Sequence, residues 1–236
     1  MISVCMATYN GERFLRQQID SILAQLGDGD ELIISDDGST DGTTDIIRSV
    51  GDDRIRLVEG PRRASATWNF ENVLRQARGE YIFLSDQDDV WTDNKVAVMM
   101  EHLKRHDCVV SDARMVDERL NVLEESYFKV HGTRPGRLCN TLLKNGYMGC
   151  CMAFSRRVRD AALPFPKDIP LHDIWIGNVA AYRYGVRFIA DKLVLFRCHS
   201  GNNSFTAAKK SGNSPLKMLK IRLVVVKDLM IKLLKW

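Results

Sequence analysis

The sequence predicts an α/β protein built on a mainly parallel central sheet. Short apolar runs alternate with segments of helical period through the first half, which is the pattern of βαβ units. Two of those runs end in acid, as Glu31-Leu-Ile-Ile-Ser-Asp36-Asp37-Gly-Ser and as Glu80-Tyr-Ile-Phe-Leu-Ser-Asp86-Gln-Asp88-Asp89. Ligands of open α/β sheets collect beyond the carboxyl ends of such strands, so that edge is where function is to be sought.

In chain order, residues 2–7 read as the first strand, and residues 14–26 carry Phe14, Ile19, Ile22, Leu23 and Leu26 at helical spacing. A second strand follows at 32–35, a short helix at 45–50 and a third strand at 54–58. Residues 67–76 form a helix closed by Gly79, and 81–84 are the fourth strand. A helix at 93–105 and a fifth strand at 108–111 complete the regular half. Beyond it, 121–137 has few periodic signals and is expected to be mobile or to face a substrate. Residues 148–154, 187–189 and 193–196 are apolar enough for strands.

The last segment opens with Ser214-Pro215, a helix cap followed by proline at the first helical position. At 100° per residue Lys217, Lys220, Lys227, Lys232 and Lys235 share one face, with a wide apolar face opposite. The stretch is long enough to span a bilayer, yet basic residues recur through its middle, each costing about 2.5–3.5 kcal/mol at the membrane centre. Lying in the interface on the inner face of the plasma membrane is the expectation, with packing on its own domain or in an oligomer interface as the alternative.

With 236 residues the chain suits one sizeable core, taken here as a domain over 1–206 and a basic amphipathic tail over 207–236. From Lys209 onward eight Lys and Arg face one acid, so the tail carries +7 of a net +4 and the body is −3. A nucleic-acid-binding body is therefore disfavoured. The six cysteines make no zinc pattern and read as buried thiols. The first ten residues lack the basic and apolar regions of a signal peptide, so cytoplasmic residence is expected.

Asp36, Asp37, Asp86 and Asp88 would repel one another at one sheet edge unless a cation offset them. Hard oxygen ligands of this kind suit Mg²⁺ or Mn²⁺, which points to a divalent site serving a phosphate-bearing substrate. Nucleotidyl transfer would use the same elements, but the sequence has no P-loop.

Six motifs carry a resemblance: Ala7-Thr-Tyr-Asn10, Ser35-Asp-Asp-Gly-Ser-Thr-Asp-Gly42, Ala77 through Trp91, Asn145 through Phe154, Leu171-His-Asp-Ile-Trp-Ile-Gly177, and Phe196-Arg-Cys-His-Ser-Gly-Asn-Asn-Ser204. In this order and spacing the chain resembles the family 2 glycosyltransferases of GT-A fold, a single Rossmann-like domain, over nearly all of its length to about residue 206. The wordings Asp86-Gln-Asp-Asp-Val-Trp91 and His172-Asp-Ile-Trp-Ile-Gly177 are most similar to bacterial rhamnosyltransferases of surface-polysaccharide synthesis.

The resemblance implies inverting transfer of a sugar from a UDP- or dTDP-sugar to a hydroxyl of a growing, lipid-linked or polysaccharide glycan, with a non-catalytic nucleotide-sugar-binding, membrane-associated protein as the alternative. It implies that Asp88 holds Mn²⁺ or Mg²⁺ with His199 as a further ligand, and that Asp86 lies nearer the ribose or sugar. Asp173 is implied as the general base, which must sit near the attacking hydroxyl. A role as helix cap is compatible with that. The family usually has Glu-Asp here, so His172 stands in place of an acid and alters the acceptor's contacts. Thr8, Tyr9, Asn10 and Asp37 are implied in the nucleotide pocket, with Asp36 beside them; Asp36 and Asp37 alternatively open a turn with Gly38. Arg62 and Arg63 are either phosphate contacts or an exposed basic loop. The sequence keeps Asn69 but has Ala64-Ser-Ala where a glycine is common, which unsettles the donor contacts of that loop. Trp91 and Trp175 either stack on a sugar or belong to the core.

Overall fold

The computed structural model of the protein describes residues 1–199 and 214–234. The end of the last motif, 200–204, the boundary at 206/207, Lys209, Lys210 and Lys235 lie outside the described residues, as does the side chain of Lys217.

In chain order the elements are β1 (Ile2–Thr8), α1 (Glu12–Leu23), β2 (Glu31–Asp36), α2 (Thr43–Ser49), β3 (Ile55–Glu59), α3 (Ala66–Gln76), β4 (Tyr81–Ser85), β5 (Val90–Trp91), α4 (Lys95–Leu103), β6 (Cys108–Val116), β7 (Val122–Glu124), α5 (Tyr127–His131), β8 (Met152–Ser155), α6 (Arg156–Ala162), α7 (His172–Arg183), β9 (Arg187–Arg197) and α8 (Pro215–Leu233). A π-helical turn at Cys139–Leu143 and a 3-10 turn at Gly149–Cys151 lie between α5 and β8.

The strands form one mixed, mostly parallel sheet in the order β3-β2-β1-β4-β8-β6-β9-β5, with β7 paired to β6. The first four strands are parallel. The runs of β1 and β2 are almost wholly buried, as parallel strands covered on both faces must be. Helix α1 covers them with Leu15, Ile19, Ile22 and Leu23, and α3 with Phe70, Val73 and Leu74. Antiparallel β8 then joins β4 to β6, and β6 pairs in parallel with β9. This α/β architecture is the one the sequence predicts.

Three local expectations are corrected. The two strands read at 187–189 and 193–196 are one strand, β9, whose pairing with β6 shifts register twice, between Ser111 and Asp112 and between Asp112 and Arg114. Ile189 faces Ser111 and Lys192 faces Asp112, so Ala190 and Asp191 are extra residues that break the apolar run without ending the strand. The strand read at 108–111 runs on to Val116. Segment 121–137, expected to be mobile or to face the acceptor, is ordered and holds β7 and α5. Its order rests on buried Asp112, which accepts from the Ser126 hydroxyl at 2.5 Å and the Phe128 amide at 2.9 Å. The Ser126 hydroxyl in turn caps α5 by accepting from the Lys129 amide.

Helix α8 starts where the Ser-Pro signal places it, and among the described residues no helix is long and apolar enough to cross a membrane.

Gly79, between α3 and β4, lies so close to β1 that a Cβ would sit 2.5 Å from the Ser3 backbone nitrogen. Backbone in a buried strand cannot move aside as a side-chain tip does. Gly79→Ala is therefore expected to lower unfolding free energy by about 1–3 kcal/mol, read by urea titration.

Candidate active site

Parallel register gathers the site. Thr8 of β1 lies opposite Asp36 of β2, and Met6 lies opposite Ser85 of β4, so the loops after three strands open at one edge. Gln87 ties two of them together: its side chain accepts from the Tyr9 amide at 2.9 Å and donates to the Tyr9 carbonyl at 3.1 Å. Asn10, with φ at +48°, accepts from the Thr40 amide at 2.8 Å and so fixes the third loop. Asparagine is among the residues that tolerate this conformation best. Tyr9 is left with its ring half in solvent, 47% exposed.

The neighbouring residues frame this edge. Thr8 is buried and donates to Asp36, which also accepts from the Ser39 hydroxyl and from the amides of Gly38 and Ser39. Asp36 is thus committed to its own turn. Asp37 accepts from the amides of Arg63 and Ser65 at 3.2 and 3.3 Å and holds the 62–65 loop against the sheet. Arg63 places its guanidinium over the Trp68 ring, while Arg62 pairs with Glu59 on the surface. Asn69 donates to the carbonyls of Thr8 and Ser35, a tie between α3 and the strand ends.

Beyond β4, three aspartates point in different directions. Asp88 turns outward to His199, whose Nε2 lies 3.0 Å from its carboxylate. The pairing of β5 with β9, Val90 with Leu195 and Trp91 with Val194, is what brings these residues together. Asp89 turns inward, fully buried, and accepts from the Arg197 amide at 3.0 Å. Asp86 lies between. Burial, reinforced by the charges of Asp88 and Asp173, pushes its carboxyl up to about 7. Burial, reinforced by the charges of Asp88 and Asp86, drives Asp89 well above the usual carboxylate range.

Two cations that sequence reasoning passed over support this cluster. Lys95, the first residue of α4, is fully buried, donates to the Cys150 carbonyl at 2.5 Å and sits 4.0 Å above the Trp91 ring. Its charge acts on both Asp86 and Asp89. Arg197, almost wholly buried, donates from Nε to the Asp88 carbonyl at 2.7 Å and from the guanidinium to Glu118 and Gln17. For Arg197 the available signal was a basic residue closing the apolar run Leu193–Phe196; Lys95, after Asp93 and Asn94, carried none. The Cys150 thiol lies with the Asp86 and Asp89 carboxylates within 4.8 Å. Four of the six cysteines are buried, and Cys139 and Cys198 are half-buried.

Asp173 reaches the cluster from the opposite half of the sheet, in the first turn of α7. Its carboxylate accepts from the Ile174 amide at 2.6 Å and from the Gly149 amide, while burial pushes it up to about 6. His172 is buried, stacked on Phe70 at 3.9 Å, and neither ring nitrogen has a partner among the described residues. Burial pushes it down to about 3, so the imidazole beside Asp173 is neutral. Only a glycine at 149 admits it, since a Cβ there would meet Nε2 at 2.8 Å.

For Trp91 and Trp175 the sugar-stacking expectation fails and the core alternative holds. Trp91 is 2% exposed and Trp175 is 0% exposed, so neither ring offers a face to a sugar. Trp91 packs on Phe83 under Lys95, and Trp175 donates its indole N–H to the Ala162 carbonyl at 2.8 Å. Both are core residues, as large aromatics beside strands usually are.

The donor set fits a divalent ion. Asp88 and His199 converge from two segments, are partly exposed, and offer a carboxylate oxygen and an imidazole nitrogen, ligands that Mn²⁺ accepts.

Residues 3–162 match the sequence profile described as Glycosyl transferase family 2. The chain is 25% identical over 226 residues to the "Putative teichuronic acid biosynthesis glycosyltransferase TuaG" of Bacillus subtilis, covering 89% of this chain and 85% of that one. It is also 25% identical over 221 residues to an Escherichia coli enzyme named "UDP-Glc:alpha-D-GlcNAc-diphosphoundecaprenol beta-1,3-glucosyltransferase WfgD", covering 89% of this chain and 83% of that one. Among solved structures, S. aureus TarS 1–349 in complex with UDP-GlcNAc superposes with a TM-score of 0.72 at 17% identity, covering 95% of this chain. This chain spans 65% of that fragment's length. Mannosyltransferase PcManGT from Pyrobaculum calidifontis, in complex with GDP-Man and Mn²⁺, gives a TM-score of 0.67 at 20% identity, covering 94% of this chain and 67% of that one.

The geometry makes Lys95 the internal counter-charge of the acids. Lys95→Met is expected to lower stability by about 3–5 kcal/mol, because it leaves buried carboxylates uncompensated. Adding Asp89→Asn should recover part of that loss. Urea titrations of the two single variants and the double variant give the coupling; additive losses would mean that Lys95 only fills space.

Proposed function

The chain belongs to glycosyltransferase family 2, and from that premise we propose that it transfers one sugar, with inversion, from a nucleoside-diphosphate donor to a hydroxyl of a growing cell-surface polysaccharide or lipid-linked glycan. The observation that carries the reading is the meeting of Asp88, His199, Asp86 and Asp173 at the edge where the exposed Tyr9 ring stands. Nucleotidyl transfer is set aside by the family.

In this reading the Tyr9 ring covers the base, and Thr8, Asn10, Asp36 and Asp37 hold the loops that shape its pocket. Asp86 stands nearest the ribose or the sugar, and Arg63 is the candidate phosphate contact. Asp88 and His199 would hold Mn²⁺ or Mg²⁺, which supplies positive charge for the diphosphate leaving group. The acceptor oxygen attacks the anomeric carbon as the bond from that carbon to the diphosphate oxygen breaks, and Asp173 takes the hydroxyl proton. An Asp173 carboxyl raised to about 6 is a stronger base than an ordinary aspartate and is still ionised at neutral pH. The neutral imidazole of His172 keeps a second negative charge away from it.

For the donor, the names of the relatives favour UDP-glucose, whereas a dTDP-rhamnose donor rests on the wordings around Asp86 and Asp173. The reaction's place is the inner face of the plasma membrane. Mass spectrometry of donor hydrolysis and transfer, with UDP-glucose, UDP-GlcNAc, GDP-mannose and dTDP-rhamnose, each with Mn²⁺ or EDTA, tests the reading. No turnover of any sugar nucleotide with a lipid-linked glycan acceptor would overturn it.

Asp88→Asn is expected to weaken Mn²⁺-dependent donor binding at least roughly 10-fold, since even the outer partners of metal ligands are worth that much. Calorimetric titration with the parent's affinity would remove Asp88 from this role. Circular dichroism should show the fold intact.

Asp173→Asn should keep donor affinity and lower turnover by about 10²–10⁴-fold. In the parent, kcat should climb as pH rises to about 6 and level above it, because the base works only when deprotonated. A profile flat through that range would assign proton transfer elsewhere.

A further inference from the structure

Helix α8 packs on the domain by one edge only. Val225 and Leu229 are buried, Lys232 donates to the Leu163 carbonyl at 2.9 Å, and Arg222 donates to the Leu143 carbonyl. At 100° per residue these four side chains cover one arc of the helix. Leu219, Leu223 and Met230 fall together on another arc and are 52%, 61% and 59% exposed. The helix therefore packs Val225 and Leu229 on the domain, with the polar tips of Arg222 and Lys232 beside them, and leaves a second apolar stripe facing away, flanked by exposed Lys220 and Lys227.

The π-helical turn that receives Arg222 continues this stripe. Leu138, Leu142 and Leu143 are 62%, 47% and 67% exposed, and Leu143 abuts the stretch of α8 that holds Leu219 and Leu223. The charges around both segments are mainly basic, with the acids Asp228 and Asp168 lying 3.4 and 3.7 Å from the Lys227 amine. Residues 132–145 hold Arg134, Arg137 and Lys144 and no acid, while 214–234 hold five basic residues against Asp228. Exposed leucines ringed by lysine and arginine match the two halves of an anionic membrane interface, acyl chains below and phosphates above. A two-fold contact of this surface with the same surface of a second copy would instead bring like charges together.

We propose that the outward edge of α8 and the 138–143 turn form one continuous surface that lies on an anionic lipid bilayer. It extends the reading above by naming a membrane-contact element outside the terminal helix. The turn is joined to the catalytic half: the Thr141 hydroxyl donates to Asn178 of α7 at 2.6 Å, and the same chain segment runs on to Gly149, whose amide meets Asp173. Contact at 138–143 thus sets the distance and tilt of α7 over the bilayer, where a lipid-linked acceptor is held.

The test is flotation of the full chain with vesicles of phosphatidylcholine alone and of phosphatidylcholine with phosphatidylglycerol, without sugar donor. Its failure is therefore separate from failure of the glycosyl-transfer reading. The parent should float with the anionic vesicles, and its partition coefficient should fall about tenfold in Leu142→Asp/Leu143→Asp and in Leu219→Asp/Leu223→Asp. Both pairs are exposed, and circular dichroism checks their folding; Leu138→Asp gives an independent third position. Failure of the parent to float overturns the proposal. So does parent-like flotation of the 142/143 variant, which would leave the helix as the sole contact. A dimer in sedimentation velocity that these variants convert to monomer would assign the surface to a second copy.

Discussion

Asp86, Asp88, Asp89 and Asp173 are crowded at one edge of the sheet, and the mutual repulsion of their carboxylates is the constraint to which the surrounding structure answers. Each occupies a different electrostatic setting. Asp88 faces His199 across 3.0 Å at the surface, Asp89 is turned into the protein toward the Arg197 amide, and Asp86 lies between the buried Lys95 charge and the Asp173 carboxylate. A buried carboxylate without a partner costs several kcal/mol, so Lys95 and Arg197 are part of the site although neither occupies the pocket.

The same constraint explains how β9 is used. Arg197 and His199 stand at and just beyond its end, and β9 reaches that point only because β5 pairs with its last residues and a bulge at Ala190 and Asp191 shifts its register on β6. Arg197 then donates to carbonyls of Asp88 and Glu118, fixing the loop after β4 to the loop before β7. Removing His172 from the acid class follows the same economy of charge. A carboxyl at 172, buried beside Asp173, would add another acid to the cluster, whereas the histidine is neutral and rests on the Phe70 ring.

Most of the fold was legible. Strands β1 to β4 and helices α1 to α4 follow from apolar runs and helical spacing, because those elements are covered by their immediate neighbours in sequence. Legibility failed where distant segments decide. Segment 121–137 has little periodicity of its own, yet Asp112 of β6 organises α5 through Ser126 and Phe128. Lys95 read as an ordinary first-turn helix residue, and nothing local announces that its amine is buried against the Cys150 carbonyl.

By itself the sequence determined the α/β class, the strand-end acids, the six motifs and the start of α8, since all of these depend on local pattern: alternation, spacing, caps and turns. Only the tertiary structure decided which acids face outward and which face a buried cation, that Trp91 and Trp175 belong to the core, and which edge of α8 the domain covers. The physical reason is common to all three. An apolar or charged side chain declares in sequence that it needs a partner, but the partner is chosen by strand pairing and packing between residues distant in the chain, such as Asp88 and His199, 111 positions apart.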